Sequence, residues 1–206
     1  MLVDHVGFLF FPDQIVFRMI GRMAFPLFAF LVAEGYERTS NLRKYFVRLL
    51  AFAAISQPVY MLFRFATDGT TNDLNIFFTL AAGLFAVTLW DKLPLASSIP
   101  AIALIAGLAQ FLGFDYGVYG VMSVPLSRLI LYHRKWGIAV LLLLPQIPVL
   151  VRFLWGVISI QTYAAMSVPL IALYNGQRGR VLPRLFFYAF YPGHLFVLWL
   201  IWYVIH

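Results

Sequence analysis

Long apolar runs follow one another along this chain with only short polar breaks, and that pattern constrains the fold more than any motif does. A helix needs about 20 apolar residues to cross the hydrocarbon core of a bilayer, where every backbone N–H and C=O must find a partner within the protein. By that length, spans are predicted near 15–36, 44–64, 74–90, 97–113, 116–132, 137–151, 153–174 and 184–205. A shorter apolar segment, 1–11, precedes them and runs into Pro12-Asp13-Gln14. The predicted fold class is all-α, a polytopic integral membrane bundle of about eight or nine transmembrane helices. Only 11% of the residues are charged, against roughly a quarter in soluble domains, so there is too little polar surface to cover a water-soluble globule. No internal repeat, low-complexity tract or long linker interrupts the pattern, and residues 1–206 read as a single transmembrane domain.

Charge tests this division independently, because cytoplasmic loops are enriched in Lys and Arg. With the N-terminus inside, the inner loops hold Arg38, Arg43, Lys44 and Arg48, then Lys92, then Arg134 and Lys135 with Arg128 just before them, then Arg178, Arg180 and Arg184. The outer loops hold only Arg64 and Arg152, at their edges, while Asp13, Asp68, Asp73 and Asp115 all fall outside. Topology thus accounts for the net charge of +7, and no nucleic-acid partner is expected. Cysteine is absent, which excludes disulfides, Cys-ligated zinc and a thiol nucleophile. No metal-ligand spacing, phosphate loop or nucleophile elbow is present. The N-terminus lacks a positive region and a small-residue cleavage site, so no cleavable signal is expected. The first segment covers about half the core. It is either a half-helix tucked into the bundle or the end of a longer helix that begins upstream, which would carry Asp4 and His5 deep into the membrane.

Ionisable groups inside spans are costly and usually face the bundle interior, a water-filled cavity or a partner. The candidates are Asp4, His5, Arg18, Arg22, Glu34 and His194, with Asp73, Asn75 and Asp115 at outer helix ends. Asp4 and His5 are either site residues or a topological anchor. Adjacent side chains diverge by about 100° on a helix, so Asp4 is expected to pair with an arginine rather than to grip His5. Arg18 is expected to snorkel to the outer interface. Arg22, deeper, needs an acidic partner such as Asp4 or an anionic ligand; Gly21 permits close helix contact and Pro26 a kink. Glu34 opposes the helix dipole and calls for compensation by Arg38 one turn on. His194 follows Pro192-Gly193, which are expected to distort the last helix, and reads either as packing or as function. Asp115 is expected as an N-cap, with a site role as the other reading. Asn75 reads as a cap or a helix–helix hydrogen bond.

These residues stand in stretches that resemble the TraX family of membrane acetyltransferases. The resemblance rests on Asp4-His5-Val6-Gly7, Ile20-Gly21-Arg22-Met23-Ala24-Phe25-Pro26, Ala33-Glu34-Gly35, Ser56-Gln57-Pro58, Leu74-Asn75-Ile76, Asp115-Tyr116-Gly117 and Tyr191-Pro192-Gly193-His194-Leu195, in that order along the chain. The family is named for the protein that acetylates the F-pilin N-terminus in conjugation and is similar to other transmembrane acyltransferases that take an acyl group from cytosolic acyl-CoA through a pore between helices. The resemblance implies a multi-pass enzyme of the bacterial inner membrane with acetyl-CoA as co-substrate, no metal, and a peptide, sugar or lipid acceptor. It implies His5 as the catalytic base, Asp4 and Arg22 as its supports and His194 as a further pore residue. Roles in binding substrate or cofactor would fall to Glu34, Arg38, Asn75, Asp115 and Tyr191, and the inner basic loops would attract the phosphates of acetyl-CoA. Two other functions use the same residues: a small-solute transporter, disfavoured by the lack of an internal repeat, and a non-catalytic assembly protein for a surface polymer.

Overall fold

The computed structural model describes residues 1–144, 146, 147, 154, 159–177 and 183–205. Pro145, Pro148, Arg152, Arg178, Arg180 and the side chain of Arg184 lie outside the described residues, as does most of the expected boundary between the 137–151 and 153–174 spans. The helices, in chain order, are α1 (Leu2–Phe10), α2 (Ile15–Arg22), α3 (Ala24–Arg38), α4 (Leu42–Asp68), α5 (Ile76–Lys92), α6 (Leu95–Phe111), α7 (Gly117–Tyr132), α8 (Arg134–Leu143), a 3-10 helix (Ile160–Ser167), α9 (Val168–Ala172) and α10 (Arg184–Ile205). No strand occurs among the described residues; Leu74 and Phe114 form an isolated bridge.

The protein is all-helical, and three stretches are long and apolar enough to cross a membrane: Ile15–Arg38, Leu42–Asp68 and Leu185–Ile205. Only 22% to 33% of their most apolar windows is buried inside the bundle. The remainder presents side chains such as Leu31, Ile55, Phe65 and Val204 outward, the face a lipid solvent requires. The expected spans and the observed helices agree closely over 15–132 and at 184–205; α8 covers only the first part of 137–151, most of the rest lying outside the described residues, and a difference appears at 153–174. There the described chain forms a 3-10 helix and the short α9 in place of one α-helix. Pro169, at the second position of α9, has no N–H to give the carbonyl of Ala165 and suits the first turn of a helix, where that N–H has no partner, so a new helix starts here.

Local chemistry sets the other boundaries. Asn41 opens α4 by accepting a bond from the Lys44 amide (2.8 Å), and Gly69, at φ +73°, closes it in the left-handed conformation. Pro58, Pro100, Pro125 and Pro192 all sit inside continuous helices. At Pro192-Gly193 α10 continues as an α-helix, with the Phe190 carbonyl accepting from the His194 side chain (2.6 Å). A missing backbone bond is tolerated where neighbouring helices hold the segment.

The central helices are α5 and α7. Gly83 of α5 lies against Val124 of α7, and Gly120 of α7 against Thr79 of α5, with no room for a Cβ at either place, so the backbones approach closely in the manner of small-residue membrane packing. Around this pair stand α3, α4 and α6; α10 lies along α4, and α1 fits between α2, α4 and α10.

Charges gather at the two ends. At one end Arg128 of α7 bonds Glu37 of α3 and Asp91 of α5 (2.9 Å), Tyr36 donates to Asp91 (2.9 Å), and Tyr132 donates to Glu37 (2.6 Å). The same end carries Arg38, Arg43, Lys44, Lys92, Arg134 and Lys135. At the opposite end Arg64 pairs with Asp68 (2.8 Å) and Asp73 (2.7 Å). The expected loops are thus sorted in space, basic at one end and acidic at the other.

Asn75 joins α4 to α5 at the acidic end. Its amide nitrogen donates to the Ala53 carbonyl (2.7 Å) and to Gln57 Oε1 (2.8 Å), and its Oδ1 accepts from the Phe77 amide (3.0 Å). Both expected structural readings of Asn75, cap and interhelical bond, are present together. Because the residue is fully buried, Asn75→Ala leaves the Phe77 amide without its cap and removes the side-chain bonds to the Ala53 carbonyl and Gln57, at a cost of about 2–3 kcal/mol. The expected result is a lower melting temperature of the detergent-solubilised protein, and an unchanged one would show that these bonds do not hold α4 to α5.

Candidate functional site

Pro26 decides where the first arginines stand. It has no N–H to offer the carbonyl of Arg22, and the 15–38 helix breaks there: α2 ends at Arg22, and α3 begins past Met23. Arg18 and Arg22, one turn apart, share the face of α2 on which α1 folds back. Gly7 lies against Phe17 and Gly21 against Asp4, and neither position has space for a Cβ. This contact brings the buried Asp4 carboxylate to Arg18 (3.1 Å) and Arg22 (3.8 Å). Arg18 also lies over the Phe8 ring, 4.2 Å from its centroid. The expected snorkelling of Arg18 is corrected: the carboxylate is a nearer and less hydrated partner than the interface, so the side chain turns inward. Arg22 donates to the Tyr116 hydroxyl (3.3 Å), and the Tyr116 ring stacks on Phe25 at 4.3 Å.

Tyr116 occupies the N-cap position of α7 at φ +64° and is the non-glycine residue with positive φ among the described residues. Strain of this kind persists where surrounding contacts over-determine it, and it clusters at functional sites. Asp115 is not the cap that was expected, because the helix starts one residue later and Tyr116 holds the turn. The backbone of Asp115 is bound on both sides instead: its amide donates to the Leu74 carbonyl (2.9 Å), and its carbonyl accepts from Thr79 Oγ1 (2.6 Å).

His5 and His194 meet across α1 and α10. His5 Nδ1 lies 2.8 Å from His194 Nε2, and His194 Nδ1 lies 2.6 Å from the Phe190 carbonyl oxygen. The tautomers follow from the acceptors. A carbonyl oxygen only accepts, so His194 carries its proton on Nδ1; its neutral Nε2 then accepts, and His5 must donate from Nδ1. His5 Nε2 is left with a lone pair. The two rings are near-parallel with centroids 5.0 Å apart, and Phe63 meets the His5 ring edge-on at 5.0 Å. The sequence marks both histidines without pairing them, since 189 residues separate them.

His5 lines a cavity of about 30 Å³ together with Asp4, Phe25, Asp115, Tyr116 and Tyr191, room for little more than a water-sized group. Three buried polar atoms without a well-formed hydrogen bond belong to this neighbourhood: Asp4 Oδ1, Arg22 Nε and the Tyr191 hydroxyl, which meets the Ile76 amide at the start of α5. Under-satisfied buried atoms gathered in one place mark a site for a ligand or water, although Asp4 Oδ1 keeps its ion pairs with Arg18 and Arg22. Asp115, in the connection between α6 and α7, has its carboxyl pushed up to about 6 by burial, against the opposing pull of Arg22 and Arg64.

The expected site residues thus divide. Asp4, His5, Asp115 and Tyr191 line the cavity, with Arg22 and His194 directly behind it. Glu34 and Arg38 pair with each other (2.6 Å) at the basic end, about 13 Å along α3 from Phe25, where Arg38 also reaches Tyr174 (3.0 Å) and the Gly176 carbonyl (2.6 Å). Asn75 has its amide engaged elsewhere and does not line the cavity. Sequence reasoning missed Tyr116 and the inward role of Arg18. Their signals were adjacency to Asp115 and the one-turn spacing from Arg22. Among the described residues no group of three or more His, Cys, Asp and Glu is arranged to hold a metal ion.

The TraX protein family model matches residues 1–202. A probable fimbrial assembly protein FimC, serogroup H1, of Dichelobacter nodosus is 30% identical over 219 residues, spanning 96% of this chain and 89% of that protein. Protein TraX of Escherichia coli is 30% identical over 210 residues, spanning 96% of this chain and 81% of that protein. Protein TraX of Escherichia coli strain K12 is 27% identical over 209 residues with the same coverage. No solved structure matches the chain.

Proposed function

Because this chain belongs to the TraX family, we propose that it is a membrane-embedded acetyltransferase that moves an acetyl group from acetyl-CoA to an acceptor amine. A pilin amino terminus is the first candidate acceptor, in keeping with the fimbrial assembly relative. The protein crosses the bacterial cytoplasmic membrane about eight or nine times, with its basic end in the cytosol. There Arg43, Lys44, Lys92 and Lys135, which make no ion pair among the described residues, offer charge to the phosphates of CoA.

The observation that carries this reading is the ordered chain from His5 through His194 to the Phe190 carbonyl, which leaves His5, a residue of the cavity wall, unprotonated at Nε2. The amine nitrogen attacks the thioester carbonyl carbon; its N–C bond forms as the C–S bond breaks. The amine proton passes to His5 Nε2, and the departing CoA thiolate takes it up as a thiol. The His5 imidazolium formed in between keeps its Nδ1–H on His194, whose own proton stays on the Phe190 carbonyl, so the positive charge is solvated inside the bundle by oriented dipoles. The Tyr191 hydroxyl, on the cavity wall and buried without a good partner, supplies a donor for the developing oxyanion, and the Arg22 charge behind the wall favours it through space. As it stands the cavity holds little more than one reacting group, so the helices around it part to seat both substrates; an enclosed site of this kind then holds them in register and keeps bulk water from the thioester.

The test is direct. Purified protein in nanodiscs, given acetyl-labelled acetyl-CoA and a peptide with a free amino terminus, is expected to yield labelled peptide and free CoA thiol in equal amounts. Neither product appearing would overturn the reading.

A further inference from the structure

Two carboxylates face the cavity, and they differ in one respect. Asp4 is neutralised by Arg18 and Arg22. The Asp115 carboxylate makes no hydrogen bond or ion pair among the described residues, and the cation that acts on it most strongly, Arg22, is already engaged by Asp4 and Tyr116. Nor does Asp115 hold the fold through its side chain, since its ties to Leu74 and Thr79 use backbone atoms alone. Asp115 is half-buried, and a carboxylate without a partner in a largely apolar cavity wall is stabilised when something positive comes to it. Beside Met1 and Ile76, the cavity wall carries four aromatic side chains, Phe25, Phe28, Tyr116 and Tyr191, a residue type whose ring faces attract cations.

We propose that Asp115 is the acceptor-binding residue of this site: its carboxylate receives the substrate's ammonium group within the aromatic box. The role rests on the acetyl-transfer reading for its consequence, but its binding step stands apart from it. Held on Asp115, the ammonium gives one proton to the carboxylate, which frees the nitrogen lone pair. On attack the nitrogen gives its second proton to His5 Nε2. The CoA thiolate takes the His5 proton, and Asp115 releases its own to water when the amide product leaves, so one proton is liberated per turnover. An uncharged acceptor of the same size has no such partner here, and the site therefore selects primary amines over alcohols.

The experiment has two arms. In the first, n-butylammonium and 1-butanol are compared as probes by thermal shift on the intact protein in detergent. Wild type is expected to be stabilised by the ammonium and not by the alcohol, Asp115→Asn to lose that response, and Asp115→Glu to keep part of it. Equal response to both probes in wild type, or a full ammonium response in Asp115→Asn, overturns the proposal whatever the reaction is. The second arm measures transfer from acetyl-CoA to an amine-terminated peptide. Asp115→Asn is expected to raise KM for the peptide at least tenfold, with KM for acetyl-CoA unchanged; an unchanged peptide KM again overturns the role of Asp115. Wild type that binds the ammonium through Asp115 but never consumes acetyl-CoA sinks the acetyl-transfer reading alone and leaves the ammonium site standing.

Discussion

His5→Ala lowers acetyl transfer by about a thousandfold, because a positioned general base contributes roughly 10²–10⁴ in rate, and no other neutral imidazole among the described residues lines the cavity. That loss is about 4 kcal/mol of barrier. The companion change, His194→Phe, is expected to cost less, about ten- to a hundredfold. It leaves the base in place but strands the His5 Nδ1–H, now held at 2.8 Å from His194, and removes the dipole that receives the imidazolium charge. His194→Gln restores an acceptor oxygen and recovers part of the rate. This ordering, His5→Ala worst, His194→Phe intermediate and His194→Gln mildest, is read from initial rates with labelled acetyl-CoA, alongside melting temperatures that establish folding. His194→Phe as inactive as His5→Ala, or His5→Ala at wild-type speed, contradicts the direction of the relay drawn here.

Gly21→Val is the change with the largest expected effect on the fold. A Cβ at position 21 would overlap the Asp4 side chain, and the collision is between two helices rather than with a flexible side-chain tip. Seating valine requires α1 to lift from α2, which separates Asp4 from Arg18 and Arg22 and leaves buried charges uncompensated. Breaking one partner out of a buried pair costs about 3–5 kcal/mol, and His5, one residue on, leaves the cavity with it. The measurement is thermal unfolding in detergent together with transfer activity, both of which should fall. Gly107→Ala is the control: nothing stands within 4 Å of its Cβ position in α6, and alanine there should be neutral or stabilising by up to about 1 kcal/mol. If the two substitutions behave alike, close α1–α2 contact is not what holds the site.

The legible and the hidden parts of this site differ for physical reasons. The helices were readable because a bilayer imposes a minimum apolar length, and the break at Met23 because Pro26 removes a particular backbone bond. Asp4, His5, Arg22 and His194 stood out because charge in an apolar run needs a reason. Arg18 was misread because a long side chain near a helix end has two outlets, water or a partner, and only the position of α1 decides between them. Asp115 was misread because capping is local and common, whereas its neighbour Tyr116 takes the cap position by adopting φ +64°, which no pattern of residue types announces. The 153–174 stretch has the hydropathy of a span, and apolar content alone does not distinguish an α-helix from the 3-10 winding found at 160–167.

The sequence by itself determined that this chain is a bundle of apolar helices with basic and acidic ends and a few ionisable groups inside, since each of those follows from composition counted along the chain. Only the tertiary structure decided that His5 bonds His194, that Asp4 is neutralised while Asp115 is not, and that Glu34 and Arg38 lie far from the cavity. Those are distances between residues up to 189 positions apart, set by which helices pack together. Packing depends on the shapes of whole helix faces, glycine against side chain, rather than on any local run of residues.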